Sequence, residues 1–349
     1  MKLPGFNVTS DIERLALRIV GTIEKMEKIR KLEPLFRLRK ANRIRSIHSS
    51  VAIEANSLSI EEVTDIINGK RIAGDPREIL EVKNAWKSYE GIGEYKPYSM
   101  DDFLLAHRRM SSRLVREAGR FRSTEVGVYK GFELIHEGAK PAEIEELMGK
   151  VFEWGVKSNL HPLIKSCVFH FLIEYVHPFE DGNGRMGRLW QTVILADWHP
   201  AFQWIPVETL VYQNQYGYYA ALRSAEQNDD AAFFVKFMLE IIEFTLNAVI
   251  DSKAAENEPV NEPVNEPVNR IARRILEELT LNGNLTYDDL SVIMSVSRTT
   301  VMRNIKILKD AGLIRRAGSD KTGRWEVAAG SEEKSTEGGD KKSNKPTVR

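Results

Sequence analysis

Three consecutive copies of Asn-Glu-Pro-Val occupy residues 257–268, and they constrain the fold of this chain more than any other stretch. Prolines at 259, 263 and 267 fix φ and remove three backbone donors, so no continuous helix runs through them. A repeat this brief builds no solenoid; it predicts an extended, semi-rigid spacer over 251–269. One folded body precedes that spacer and a smaller one follows it, and 349 residues are enough for both to bury a core.

Ahead of the spacer the chain reads as helical. Ser10-Asp-Ile-Glu13 has a capping-box pattern and leads an apolar rhythm through Leu15, Ile19, Ile23 and Met26. Ser59-Ile-Glu-Glu62 opens another helix in the same way. Further helices are predicted over 75–89, 99–117 and 141–157, giving a helical region over 1–98 and a larger body over 99–250. Apart from one short hairpin, residues 1–250 carry no strand pattern, so the fold class is mainly α. The 50 basic and 50 acidic residues cancel, which suits a soluble protein and gives no global nucleic-acid signal. Cys167 is the sole cysteine, which excludes an intrachain disulfide and argues against a thiolate metal cage. With no signal-peptide pattern and no run of eighteen apolar residues, the expectation is a cytoplasmic protein with no membrane partner.

Residues 177–188, His-Pro-Phe-Glu-Asp-Gly-Asn-Gly-Arg-Met-Gly-Arg, hold the densest chemistry. Apolar runs at 164–176 and 189–198 flank them, which predicts a short polar loop between two buried helices. Pro178 and Gly182 break the helical pattern. Gly182 and Gly184 lack side chains, so the amides of Asn183, Gly184 and Arg185 can converge on an anion at the start of the second helix. Asp181 offers a hard oxygen suited to Mg²⁺, which keeps waters and bridges to substrate phosphates. Arg185 and Arg188 share a helix face and could grip terminal phosphates, while His177 could accept a proton from a hydroxyl nucleophile. Singly, each residue has an ordinary structural explanation; together and in this order they point to phosphate chemistry.

The stretch resembles the signature of the Fic family of protein nucleotidyltransferases, His-Pro-Phe-x-Asp/Glu-Gly-Asn-Gly/Lys-Arg-x-x-Arg, with every fixed position filled. The resemblance implies a helical bundle with a short β-hairpin flap. It also implies transfer of AMP from ATP to a Ser, Thr or Tyr hydroxyl of a target protein, with release of pyrophosphate. On that resemblance His177 is the general base and Asp181 the Mg²⁺ ligand. Gly182, Asn183 and Gly184 cradle the inner phosphates, Arg185 and Arg188 hold the outer ones, and Phe179 is a buried wedge. Residues 117–122, then Val126, Gly127 and Val128, then 132–136 resemble the flap, whose edge would pair with an extended target segment. Residues 217–222 resemble an adenine-pocket segment, with Tyr219 as the candidate for stacking on the base and Tyr218 close behind. Glu226 stands where relatives often carry asparagine. Residues 49–56 resemble the family's inhibitory helix, Ser/Thr-x-x-x-Glu-Gly/Asn: Ser50 and Glu54 fit and Ala55 departs. That resemblance implies that Glu54 pairs with Arg188 and forces ATP into an unproductive pose, in a helix that survives Ala55 with a changed turn after it.

Beyond the spacer, helices are predicted over 271–281, 286–294 and 297–310, ended by Gly312, and strands over 313–316 and 324–327. This order resembles a winged helix-turn-helix, with a polar tail over 330–349 expected to be disordered. Residues 270–327 carry 11 Lys/Arg against 7 Asp/Glu, a net +4, and Ser297, Arg298, Thr299, Thr300 and Arg303 would face DNA, with Arg315, Arg316, Lys321 and Arg324 near the wing. Winged helices also mediate protein contacts. Two readings of the whole chain follow: an autoinhibited AMP transferase, or a DNA-binding transcriptional regulator that uses nucleotide binding only as a sensor. Intact His177, Asp181 and Arg188 favour the transferase, because a pure sensor would not need the base; a homodimer stays open.

Overall fold

The computed structural model describes residues 1–28, 35–130, 133–256, 270–294, 298–310, 312–317 and 324–327. The Asn-Glu-Pro-Val repeats, Phe132, Ser297, Lys321 and the tail lie outside them. The described residues form two compact units, one up to Glu256 and one from Arg270.

The first unit is helical: α1 (Ser10–Lys28), α2 (Leu35–Ile53), α3 (Ile60–Ile67), α4 (Pro76–Glu90), α5 (Met100–Met110), the hairpin β1 (Gly127–Lys130) and β2 (Glu133–Glu137), α6 (Pro141–Lys157), α7 (Pro162–Val176), α8 (Asn183–Trp198), α9 (Val207–Gln213), α10 (Gln215–Gln227) and α11 (Ala232–Glu256). The predicted stripe of α1 is buried at Leu15, Ile19, Ile23 and Met26, and this helix packs on α11. Thr9, one residue ahead of the predicted cap, accepts from Ile12 N–H at 3.4 Å. At α3 the capping box is complete in both directions. One expectation needs correction: the helix predicted over 99–117 ends at Met110. Ser111 N–H closes onto the His107 carbonyl at 2.9 Å, and Arg113 and Gly119 then take positive φ, turning the chain back along its own helix.

Helices α7 and α8 are the buried axis of this unit and pack most extensively on each other. A helix apolar on all sides must be enclosed by others, and α5, α6, α10 and α11 provide that enclosure. Trp190 of α8 lies edge-on to Phe103 of α5 at 5.0 Å, and its indole N–H donates to the Pro97 carbonyl at 2.8 Å. The regions 1–98 and 99–250 share this one core, which runs from Ile12 to Leu246. The short polar loop between α7 and α8 therefore rests on two rigid buried rods.

The second unit has α12 (Arg270–Leu281), α13 (Tyr287–Met294), α14 (Arg298–Asp310) and an antiparallel pair, β3 (Ile314–Ala317) with β4 (Arg324–Val327), in the register Ile314↔Val327 to Ala317↔Arg324. Ala272, Ile275, Leu279, Leu290, Val301, Ile305, Leu308, Ile314 and Trp325 form its buried interior. Thr286 caps α13 by accepting from Asp289 N–H at 3.1 Å, and Gly312 with φ 69 follows α14, as its sequence predicts. This is a mainly α chain with a winged helix-turn-helix at its end.

Candidate active site

His177 is the C-cap of α7, with φ 53 and ψ 59. A left-handed conformation costs a non-glycine residue about 1–2 kcal/mol, so its neighbours must hold it there. Arg122 does so: its Nε donates to the His177 carbonyl at 2.8 Å, while its other nitrogens donate to the carbonyls of Thr124 and Ala139. His177 Nδ1 lies 3.3 Å from the Glu174 carbonyl, which only accepts. That bond assigns the proton to Nδ1 and leaves Nε2 as the basic lone pair. Burial lowers the imidazole's pKa from its ordinary value, opposed by the nearby Glu174 carboxylate, so the ring is neutral and ready to accept a proton.

The loop after it is locked from inside. Phe179 is fully buried, packing 5.2 Å from Phe103 and stacking on the His107 ring at 3.6 Å. Asn183 closes the turn, accepting from Phe179 N–H at 2.8 Å and donating to the Phe179 carbonyl at 2.9 Å. Its side chain is therefore spent on shape. His107 holds the next peptide: Gly119 N–H donates to its Nδ1 at 2.9 Å, so Nε2 carries the proton toward the Asp181 carbonyl at 3.1 Å. Gly182, with φ 89, starts α8 without a side-chain cap, so the first amides of that helix keep their capacity for an anion.

Behind those amides stand two buried cations, Arg185 and Arg188, each 2% exposed. Arg185 Nη2 pairs with Asp181 at 3.1 Å, whereas Arg185 Nε and Nη1 and Arg188 Nη1 are buried with no hydrogen-bond acceptor among the described residues. Arg188 meets the end of α2: Nε donates to Ser50 Oγ at 3.1 Å, and Nη2 to the Ser50 carbonyl at 3.0 Å and to Glu54 Oε1 at 2.7 Å. A Cβ on Gly184 would collide with that same Glu54 oxygen, so the carboxylate is seated against the glycine turn itself. Helix α2 survives Ala55, which takes φ 67. Asn56 N–H reaches the Val51 carbonyl at 3.2 Å and Ala55 N–H the Ala52 carbonyl at 3.1 Å, the pairing a helix-ending glycine usually makes.

Tyr218 and Tyr219 divide the two roles their sequence left open. Tyr218 is buried, its hydroxyl donating to Glu174 Oε1 at 2.9 Å and lying 3.0 Å from His170 Nε2. Burial would push the Glu174 carboxyl up, but its hydrogen bonding and charge attraction to His170, with Arg188 and His177 nearby, bring it down to about 2. Tyr219 is 41% exposed. The hairpin pairs Gly127 with Glu137 and Val128 with His136, with a bulge between Val128 and Tyr129, and Val126 precedes it. His136 anchors it: Nδ1 lies 2.8 Å from Glu226 and Nε2 2.9 Å from the Tyr175 carbonyl. The unexpected Glu226 thus ties the hairpin to α10, and the His136 ring sits 6.0 Å from that of His177.

The fold thus brings His177, Asp181 to Arg188, Ser50 and Glu54 to one place, with the flap and Tyr219 beside it. Arg298, Thr299, Thr300 and Arg303 belong to the second unit, on α14. Sequence reasoning missed His107, Glu174, Arg77 and Glu81, and gave Arg122 no role although it closes a quoted motif. No spacing rule connects these residues to the loop.

A helical bundle that buries two guanidiniums behind a glycine-rich helix start, with a neutral histidine ending the helix before it, has the chemical capacity to hold a phosphorylated ligand. The Fic/DOC family model matches residues 97–195, and a winged helix-turn-helix DNA-binding model matches residues 268–315. A solved Fic family protein from Desulfovibrio desulfuricans G20 is 35% identical with a TM-score of 0.68, covering 95% of this chain and 100% of that one. Fic-1 from C. elegans, 23% identical with a TM-score of 0.60 over 70% of this chain and 74% of that one, shares the fold. Among curated relatives, the Protein adenylyltransferase Fic of Nematostella vectensis is 29% identical over 231 residues, 63% of this chain and 51% of its own length. That of Drosophila willistoni is 30% identical over 226 residues, 61% and 43% respectively. The chain therefore spans about half the length of the curated relatives it matches. This chain belongs to the Fic/DOC family.

Proposed function

We propose that this protein is a protein adenylyltransferase that moves AMP from ATP onto a hydroxyl of a target protein or of itself, and that Glu54 holds it inactive. One observation carries this reading: three buried guanidinium nitrogens of Arg185 and Arg188 lack an acceptor among the described residues, beside uncapped helix amides. Each guanidinium has a carboxylate beside it, but a buried N–H left without an acceptor costs about 1–3 kcal/mol, which a polyphosphate would relieve. The names of the curated relatives point the same way.

In this mechanism the target's Ser, Thr or Tyr oxygen attacks the α-phosphorus of ATP. A new O–P bond forms, the bond from that phosphorus to the bridging oxygen breaks, and pyrophosphate leaves. The hydroxyl proton passes to His177 Nε2, the nitrogen left without a proton by the Glu174 contact. The flap edge would hold the target segment by main-chain pairing, which asks little of its sequence. Among the described residues no group of three or more His, Cys, Asp or Glu is arranged as a metal cage. A lone half-exposed Asp181 suits Mg²⁺ held mainly by phosphates and water. Asp181 would hold that ion, which offsets charge on the leaving pyrophosphate. Glu54, seated at Gly184 and Arg188, occupies ground that an outer phosphate needs.

Radiolabelled ATP tests this on the full chain. Glu54→Gly should raise self- or target labelling about ten- to hundred-fold, the value of a charge-assisted pair. Adding His177→Ala should return labelling to background while calorimetry still shows ATP binding. Retained labelling without His177 would sink the base assignment, and an unchanged Glu54→Gly would sink the inhibition. The winged helix favours DNA as a further partner of the second unit; nucleotide-dependent DNA binding with no labelling in any variant would favour the sensor reading instead.

A further inference from the structure

A closed ring of four alternating charges lies where the loop meets α4, and the reaction above leaves half of it unused. Arg185 Nη2 is 3.1 Å from Asp181 Oδ1, and Arg77 Nη2 is 3.5 Å from Asp181 Oδ2. Arg77 Nε is in turn 3.8 Å from Glu81 Oε1, and that oxygen is 3.9 Å from Arg185 Nη1. Asp181 and Arg185 belong to the catalytic loop and α8; Arg77 and Glu81 stand one turn apart on α4. Helix α4 therefore offers a cation to the loop carboxylate suited to a metal ion, and an anion to a guanidinium suited to a phosphate.

The two α4 residues are held differently. Arg77 follows Pro76 at the start of the helix, where its N–H donates to the Asp75 cap at 2.7 Å, and its side chain is 61% exposed. Its backbone is fixed while its guanidinium can swing away. Glu81 is only 14% exposed, and its other oxygen accepts from Asn56 Nδ2 at 2.9 Å. Asn56 also donates to the Glu78 carbonyl at 3.2 Å and is the second residue after Glu54. The ring is thus fastened to the turn that ends the inhibitory helix.

We propose that Arg77 is an affinity-determining residue of the nucleotide site: its guanidinium holds the cation position at Asp181, and a metal-bound nucleotide must displace it. This rests on the nucleotide-site reading above. Displacement leaves Arg77 beside Glu81, where it still offsets that carboxylate as a phosphate approaches Arg185. Because the pair is long and solvent-screened, the effect is a tuning of affinity and not an all-or-none block.

The test is calorimetric titration of the full chain with ATP, once with Mn²⁺ and once with a chelator, in a His177→Ala background that prevents turnover. Arg77→Ala should tighten binding with Mn²⁺ about two- to five-fold and change metal-free binding less, and Arg77→Lys should stay near the parent. Equal or weaker binding with Mn²⁺ in Arg77→Ala overturns the proposal, because Arg77 would then be a bystander or a phosphate ligand. The same titrations on Glu54→Gly separate the two ideas. If that variant binds ATP and Arg77→Ala brings no gain, only this inference falls; if no variant binds ATP in either condition, the nucleotide site falls and takes the inference with it.

Discussion

At the scale of single residues, this molecule holds two non-glycine backbones left-handed beside the candidate site. His177 turns left-handed so that its ring leaves the α7 axis with Nδ1 anchored and Nε2 free. Ala55 turns left-handed to end α2, bearing a Cβ where glycine would have none. We predict that Ala55→Gly stabilises the folded chain by about 0.5–1 kcal/mol, the relief of that Cβ less the extra freedom glycine gives the unfolded chain. Differential scanning calorimetry should show Tm rising by about 2 °C. A fall would mean the turn is unstrained. Gly184 matters for space instead: a methyl there would strike the Glu54 carboxylate.

At the scale of elements, the α7–α8 loop and helix α2 are each tied to the core by buried polar groups. Glu208 of α9 accepts from Ser46 of α2 at 2.8 Å and from Tyr89 of α4 at 2.9 Å, and Thr192 of α8 lies 3.2 Å away. Arg43 of α2 stacks over Trp204 at 4.1 Å. Helix α2 is therefore fixed independently of Glu54, and removing that carboxylate should clear the space beside Gly184 without releasing the helix. The α7–α8 loop depends on neutral His107. Burial lowers its pKa from 6.5 to about 4, below the unfolded value, so between those limits the unfolded chain takes up a proton that the folded one refuses. Stability contributed above pH 6.5 is lost as pH falls toward 4, by about 3 kcal/mol at about 1.4 kcal/mol per pH unit. Urea unfolding across that window should show the loss, and His107→Gln should flatten it. An equal slope in both proteins would rule His107 out as its source.

At the scale of the whole molecule, two units with separate interiors follow each other along one chain. Among the described residues no helix is long and apolar enough to cross a membrane. In the second unit the basic residues are unequal: Arg298 pairs with Asp288 at 2.9 Å and Arg315 with Glu326 at 2.8 Å, whereas Arg303 is exposed on α14. If α14 meets DNA phosphates, Arg303→Ala should lower the slope of log affinity against log salt by about 1, read by fluorescence anisotropy on a duplex. Binding that is absent or independent of salt would assign the winged helix to protein contacts.

The sequence alone determined the helical class, the family that residues 177–188 point to, and the order of elements in the winged helix. Those are local properties: period, broken periods and functional groups written side by side in the chain. Resemblance extended this to Glu54, whose partner Arg188 lies 134 residues away. Only the tertiary structure decided which tyrosine is buried, that Asn183 spends its side chain on the turn, that Glu226 anchors the flap, and that Arg77 reaches Asp181 across 104 residues. Such roles come from packing two distant helices together, and packing depends on the summed shape of a core that no spacing in the chain encodes.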